Sequence, residues 1–420
     1  MTTASATPRA EHPEQAFPAR FRAGEQRNIR LGRGLRALGR IGDLDETLMA
    51  RIGRGFTERD EPAARLADAI RLRAGRPGKV TMKQFRTALE QGVAAVPEAP
   101  PALADFFAEV ESVPDWVDEE RLERGAAVFR RMGRNAGDVL LQLSLIGGYR
   151  FGGPPDLLVR TDGLTGPATV RRLAETQKWA TSLQSAQALR PHQEAWRLTV
   201  RVRLMHALVN AEHEPTWDTA RWGLPINQTD LASTLGLFDG VPLIGCRALG
   251  VRITRRDAGD YLHLWRYVGH LLGVHPDFLV ESERARHVLN YHMLRAQGPL
   301  TEAGPELAQA VVRAQGDRTW HGWPAALQPA RGRYEQERLL SMLSVFLGRA
   351  SMRELGLSRR PPWAFGYLVP LNLVRYQIGG RTVLGRRLLD AWGRRVAREV
   401  LASYFADDAQ EVGALPGAQR

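Results

Sequence analysis

The chain has a single cysteine, Cys246, among its 420 residues. One thiol excludes an internal disulfide, a multi-cysteine zinc site and the C-x-x-C-H attachment of a covalent haem. Lysine is nearly as scarce: of 58 Lys and Arg residues, only Lys79, Lys83 and Lys178 are lysines. No run of about 18 apolar residues occurs, so no segment reads as a membrane span. The N-terminus carries arginines and prolines without an apolar leader core. The expectation is a cytoplasmic protein with no stable membrane insertion. A P-loop, a dinucleotide-binding glycine fingerprint and a nucleophile elbow are also missing. The GGYRFGG stretch at 147–153 has the glycines but neither the lysine nor the strand-to-helix setting that phosphate cradling needs.

What is present describes an ordinary globular chain with room for a deep core. Hydrophobic residues make up 44% and charged residues 25%, both near the averages for such proteins. The net charge of +12 and the pI near 10.5 come almost wholly from arginine. A nucleic-acid binder would gather that charge in one stripe with stacking aromatics. Here it is scattered and mixed with acids, as in 117–131, where Asp118, Glu119, Glu120 and Glu123 alternate with Arg121, Arg124, Arg130 and Arg131. No nucleic-acid partner is expected.

Residues 1–43 are rich in Pro, Gly, Ala and Arg with weak periodicity, which predicts a flexible tail. From 44 to 420 the apolar spacing is mostly three and four, so one all-α domain is expected, with a possible N-terminal lobe at 44–115 set off by Pro97, Pro100 and Pro101. Helices are predicted near 167–186, 191–213, 229–238, 257–273, 280–297, 301–316, 334–348 and 382–404. Leu122, Ala126, Phe129 and Met132 form one core stripe, and Val139, Leu140, Leu143 and Ile146 another. The run with Trp363, Phe365, Tyr367 and Leu368 either touches a membrane or packs inward, the commoner fate of such runs.

Two helical faces carry chemistry. Arg172 and Thr176 lie four apart, and Arg203, His206 and Asn210 are spaced by three and four, so each set shares a face. His206 sits among Leu204, Met205, Ala207, Leu208 and Val209, which predicts a ring pointing into an apolar interior. A buried imidazole needs a partner for each nitrogen or a metal. Taken alone, a hydrogen-bonded core histidine is the commoner reading. For Arg172 the plain alternative is a surface salt bridge, and for Thr176 a bond back to its own helix.

The Arg-x-x-x-Thr helix, His206 on the next helix, and the downstream stretches GLPINQTDLASTLGLFD and YLHLWRYVGHLLGVHPD together resemble the latex clearing protein and MpaB-type oxygenase family over roughly 120–300. The resemblance implies a globin-related multi-helix core around a buried pocket for non-covalent haem b, and oxidation by O₂ of a small apolar substrate, alkene-containing or isoprenoid-like. It places His206 as the iron ligand, and Arg203 and Asn210, which share its helical face, are expected beside the cofactor. It places Arg172 and Thr176 as distal donors, with Asp156 as the acidic residue. Where several relatives have lysine before the threonine, this chain has Glu175, which exchanges a cation for an anion. A haem-binding sensor or carrier without turnover is one alternative. A non-haem iron site from His263, His270 and His275 with Asp260 or Glu281 is another, although no Glu-x-x-His pair supports it. The third is a helical protein without metal.

Overall fold

Spacings of three and four dictate helices, and a computed structural model, describing residues 17–161 and 168–405, contains twenty α-helices and no strand among those residues. Their starts follow from local chemistry. Asp118, Asn227, Thr254 and Ser282 each accept a hydrogen bond from a backbone N–H in the first turn of the helix they precede, which satisfies donors a helix start leaves free.

Helix Glu194–His213 runs through the interior. It buries one broad side, from Trp196 and Val200 to Leu204 and Leu208, while Leu198, Val202, Met205 and Val209 on the other side are half-buried. Helix Glu61–Arg71 packs along one side of it, and helices Ala168–Ser182 and Arg255–Leu271 along others. Helix Glu119–Met132 crosses Arg255–Leu271 so closely that a Cβ on Gly125 would lie 2.3 Å from the Asp260 carbonyl oxygen. Only glycine fits that crossing.

Several expectations are revised. Residues 1–16 lie outside the described residues. The described part of the expected tail carries helices Glu25–Leu31 and Arg33–Gly39. Long-range polar contacts hold it, and these leave no periodic trace in sequence. Arg20 is buried in an ion pair with Asp230 and lies 4.2 Å over the Phe56 ring, and Asn28 donates to the Gln297 carbonyl at 2.9 Å. Apolar residues of 44–115, such as Phe56, Leu66, Phe85 and Phe106, belong to the same hydrophobic cluster as Trp196, Leu235 and Trp265. The helix expected at 229–238 extends over Gln228–Ala248, through Pro242. The stripe at 139–146 is a widened π-helix, Leu140–Ile146. Trp363 and Tyr367 are exposed although Ala364 and Leu368, the residues that follow them, are buried.

Candidate functional site

A cavity of about 1580 Å³ opens beside helix Glu194–His213. Leu198, Val202, Met205, His206 and Val209 line it from that helix, and Arg172, Glu175, Thr176 and Trp179 from helix Ala168–Ser182. Leu231, Leu235 and Phe238 of helix Gln228–Ala248 form another wall, and the π-helix a fourth. π-turns recur at functional sites because the extra residue per turn displaces side chains and frees backbone groups. Here Ser144 donates to the Leu237 carbonyl at 2.6 Å, which locks the π-helix to the helix opposite. Aromatic rings floor the cavity: Phe238 stacks on Trp265 with centroids 5.1 Å apart, and Trp179 meets both edge-on.

His206 is the titratable group on the apolar side. Burial, helped by the nearby Arg172 cation, pushes its imidazolium acidity down to about 4, so the ring is neutral at physiological pH. Its Nδ1 is buried and meets no hydrogen-bond partner. An uncompensated buried nitrogen costs about 1–3 kcal/mol. Among the described residues no carboxylate forms an ion pair with Arg172. Glu175 accepts from Arg171 at 3.4 Å and supports the charge of Arg201.

The far end of the cavity is charged. Arg134, Arg318, Arg331 and Arg338 gather there around Asp138 and Glu335. Arg338 grips Asp138 with both terminal nitrogens, and Arg134 and Arg331 share Glu335. Arg318 lies between the rings of Trp320 and Tyr404, at 4.3 and 4.1 Å, and donates to Ser403 and Gln315 without a carboxylate in reach. Burial lowers its pKa from the usual guanidinium value. Four guanidiniums against two carboxylates leave an excess of two positive charges.

Comparison with known proteins then decides the lineage. Residues 158–373 match the family described as ER-bound oxygenase mpaB/B'/Rubber oxygenase, catalytic domain. This chain belongs to that family. It is similar to the rubber oxygenase of Streptomyces sp. (strain K30), at 26% identity over 221 residues, which are 51% of this chain and 54% of the relative. The match thus spans about half the length of that relative. In fold it is similar to the latex clearing protein in its closed state, with a TM-score of 0.54 and 20% identity, covering 87% of this chain and 88% of the other.

Within this oxygenase-family fold, four of the residues expected at the site meet at one cavity: Arg172, Glu175, Thr176 and His206. Three others are placed elsewhere. Arg203 turns away from it and is clamped by Asp60, at 2.5 and 2.8 Å, and by Glu109 at 2.8 Å, over the Phe106 ring. Asn210 both donates to the carbonyl and accepts from the amide of Ile226, at 3.0 and 3.1 Å, fixing the loop before Asn227. Asp156 caps its own helix, Pro154–Arg160, by accepting from the Gly153 amide at 2.8 Å and from Thr301 at 3.0 Å. Gly153 itself sits at φ +109°, a conformation glycine tolerates.

Most residues of the non-haem alternative are engaged structurally, although His270 Nε2 is buried without a hydrogen-bond partner. His263 accepts from the Asp118 amide at 3.0 Å, His275 accepts from the Asp277 amide at 3.2 Å, and Asp260 is paired with Arg121 and Arg124. No group of three potential metal-binding side chains occurs among the described residues. The charged lobe escaped sequence reading because its members, from Arg134 to Arg338, are scattered among many similar arginines.

Proposed function

We propose that this protein is a haem b-dependent oxygenase that uses O₂ on a small apolar substrate, alkene-containing or isoprenoid-like. The observation that carries this is His206, held neutral by burial on the wall of a large, mostly apolar cavity that also receives Arg172 and Thr176. Those surroundings suit an axial histidine, which must be uncharged to offer a lone pair and needs apolar walls for the porphyrin faces. Haem b would supply the iron chemistry that activates O₂.

The chain's own residues do the rest. His206 would hold the cofactor from helix Glu194–His213. Arg172 and the Thr176 hydroxyl are donors aimed into the same space, suited to stabilising developing negative charge on oxygen. Phe238, Trp265 and Trp179 exclude water and offer apolar surface to the substrate. The two excess positive charges around Arg318 match the two carboxylates of a b-type haem, so that lobe is the proposed seat of the propionates.

Glu175 supports a second reading, a haem-binding sensor or carrier. It puts an anion where several relatives have a lysine, and so alters the distal chemistry. The deciding experiment is the ultraviolet-visible spectrum and pyridine haemochrome of protein made with haem supplied, beside His206→Ala, followed by O₂ uptake with a test alkene. A b-type spectrum lost in the variant, with alkene-dependent O₂ consumption by the parent, is expected. A b-type spectrum without uptake would favour the carrier. A colourless folded parent would end both readings.

A further inference from the structure

Helix Trp363–Asn372, the π-helix Leu373–Ile378 and the first turns of helix Val383–Phe405 form an inverted face. Their inward side is held by polar groups: Asn372 donates to Asn135 at 2.7 Å and to the Leu249 carbonyl at 2.9 Å, and the Tyr376 hydroxyl donates to the Arg131 carbonyl at 2.7 Å. These bonds fix the rotation of the segment. Its outward side is consequently apolar, with Val374, Ile378, Val383, Leu384 and Leu388 each 60–69% exposed. Of the large hydrophobic residues exposed among the described residues, most lie between Trp363 and Leu388. Isolated exposed leucines need no explanation, but a contiguous patch of this kind marks a docking surface.

Charge identifies the occupant. Residues 355–389 contain six arginines and no aspartate or glutamate, so no acid offsets the positive charge along this stretch. Arg381, Arg386 and Arg387 rim the apolar patch and are exposed. A second copy docked symmetrically would set arginine against arginine. Apolar side chains ringed by arginine, with aromatic residues at one edge, are instead suited to lying in the headgroup region of an anionic bilayer. No helix of the described residues is long and apolar enough to cross a membrane.

We propose that the face of residues 363–388 docks peripherally on an anionic lipid bilayer. The same terminal helix runs on to line the cavity with Val396, Val400 and Tyr404. Docking therefore sets a cavity wall at the lipid surface, and, resting on the oxygenase reading, the substrate class becomes an apolar molecule dissolved in that bilayer.

The test is flotation of the full-length protein with phosphatidylcholine vesicles, with and without phosphatidylserine. Binding is expected only to the anionic vesicles, and high salt should weaken it. The triple variant Ile378→Glu, Leu384→Glu, Leu388→Glu should lose binding by about tenfold or more, and Arg381→Gln with Arg386→Gln and Arg387→Gln by a similar amount. All these positions are exposed, so circular dichroism and any haem spectrum should match the parent, and turnover of a water-soluble alkene separates this proposal from the oxygenase reading. No vesicle binding, binding unchanged in the triple variant, or a dimer in light scattering that the triple variant dissolves would each overturn it.

Discussion

At the scale of single residues, the cavity assigns different work to groups that look alike in sequence. Arg172 has no carboxylate partner among the described residues and faces His206, whereas Arg203, on the neighbouring helix, is spent on Asp60 and Glu109. Arg172→Leu and Thr176→Val should therefore keep the haem spectrum and lower O₂-dependent turnover by roughly 10²–10³-fold and a smaller factor respectively, as loss of a preorganised donor does. Steady-state O₂ uptake on haem-loaded variants measures this. His206 also makes a pH prediction. Its folded pKa of about 4 lies below the ordinary 6.5, so the fold favours the neutral ring. The stability this contributes is fully present above 6.5 and is lost as pH falls from 6.5 through 4. Urea denaturation of the haem-free protein at a series of pH values should show this contribution constant above 6.5 and falling as the pH drops towards 4.

At the scale of elements, the reason some residues were readable and others not is geometric. Successive helical residues turn by about 100°, so Arg203 and Asn210 lie as close in angle to His206 as Val202 and Val209 do. Spacing put His206 on a meaningful face without saying which of two it belonged to. The structure resolves this seam: Leu198, Val202, Met205 and Val209 face the cavity, while Arg203 and Asn210 face helix Glu61–Arg71 and the loop at Ile226. Periodicity found most helices, but not the length of Gln228–Ala248, where Pro242 signals a stop that tertiary packing overrides. Asp60→Ala should destabilise the fold by about 1–3 kcal/mol, because Arg203 loses two charged hydrogen bonds but keeps Glu109. Urea denaturation reads this, and the haem spectrum of the folded variant should not change.

At the scale of the whole molecule, the all-α class was legible because long amphipathic repeats dominate the chain. The cavity was not, because it is assembled from distant pieces. Its walls include Leu140–Leu145 and Gly393–Tyr404, both beyond the 158–373 stretch that matches the family. The N-terminal segment was least legible, since its hold on the body combines long-range polar contacts with isolated packing such as Phe21 against Phe56, neither of which leaves a periodic pattern. Arg20→Met should cost about 3–5 kcal/mol by leaving Asp230 uncompensated on a cavity-forming helix, and thermal melts with limited proteolysis would show residues 17–43 released first. That same contact has a consequence for how the protein is made. Arg20 bonds a residue 210 positions later, and Asn28 one 269 positions later. During synthesis this segment must therefore wait, unpaired, until Asp230 and Gln297 have left the ribosome, so that an early-made piece is among the later ones to reach its place.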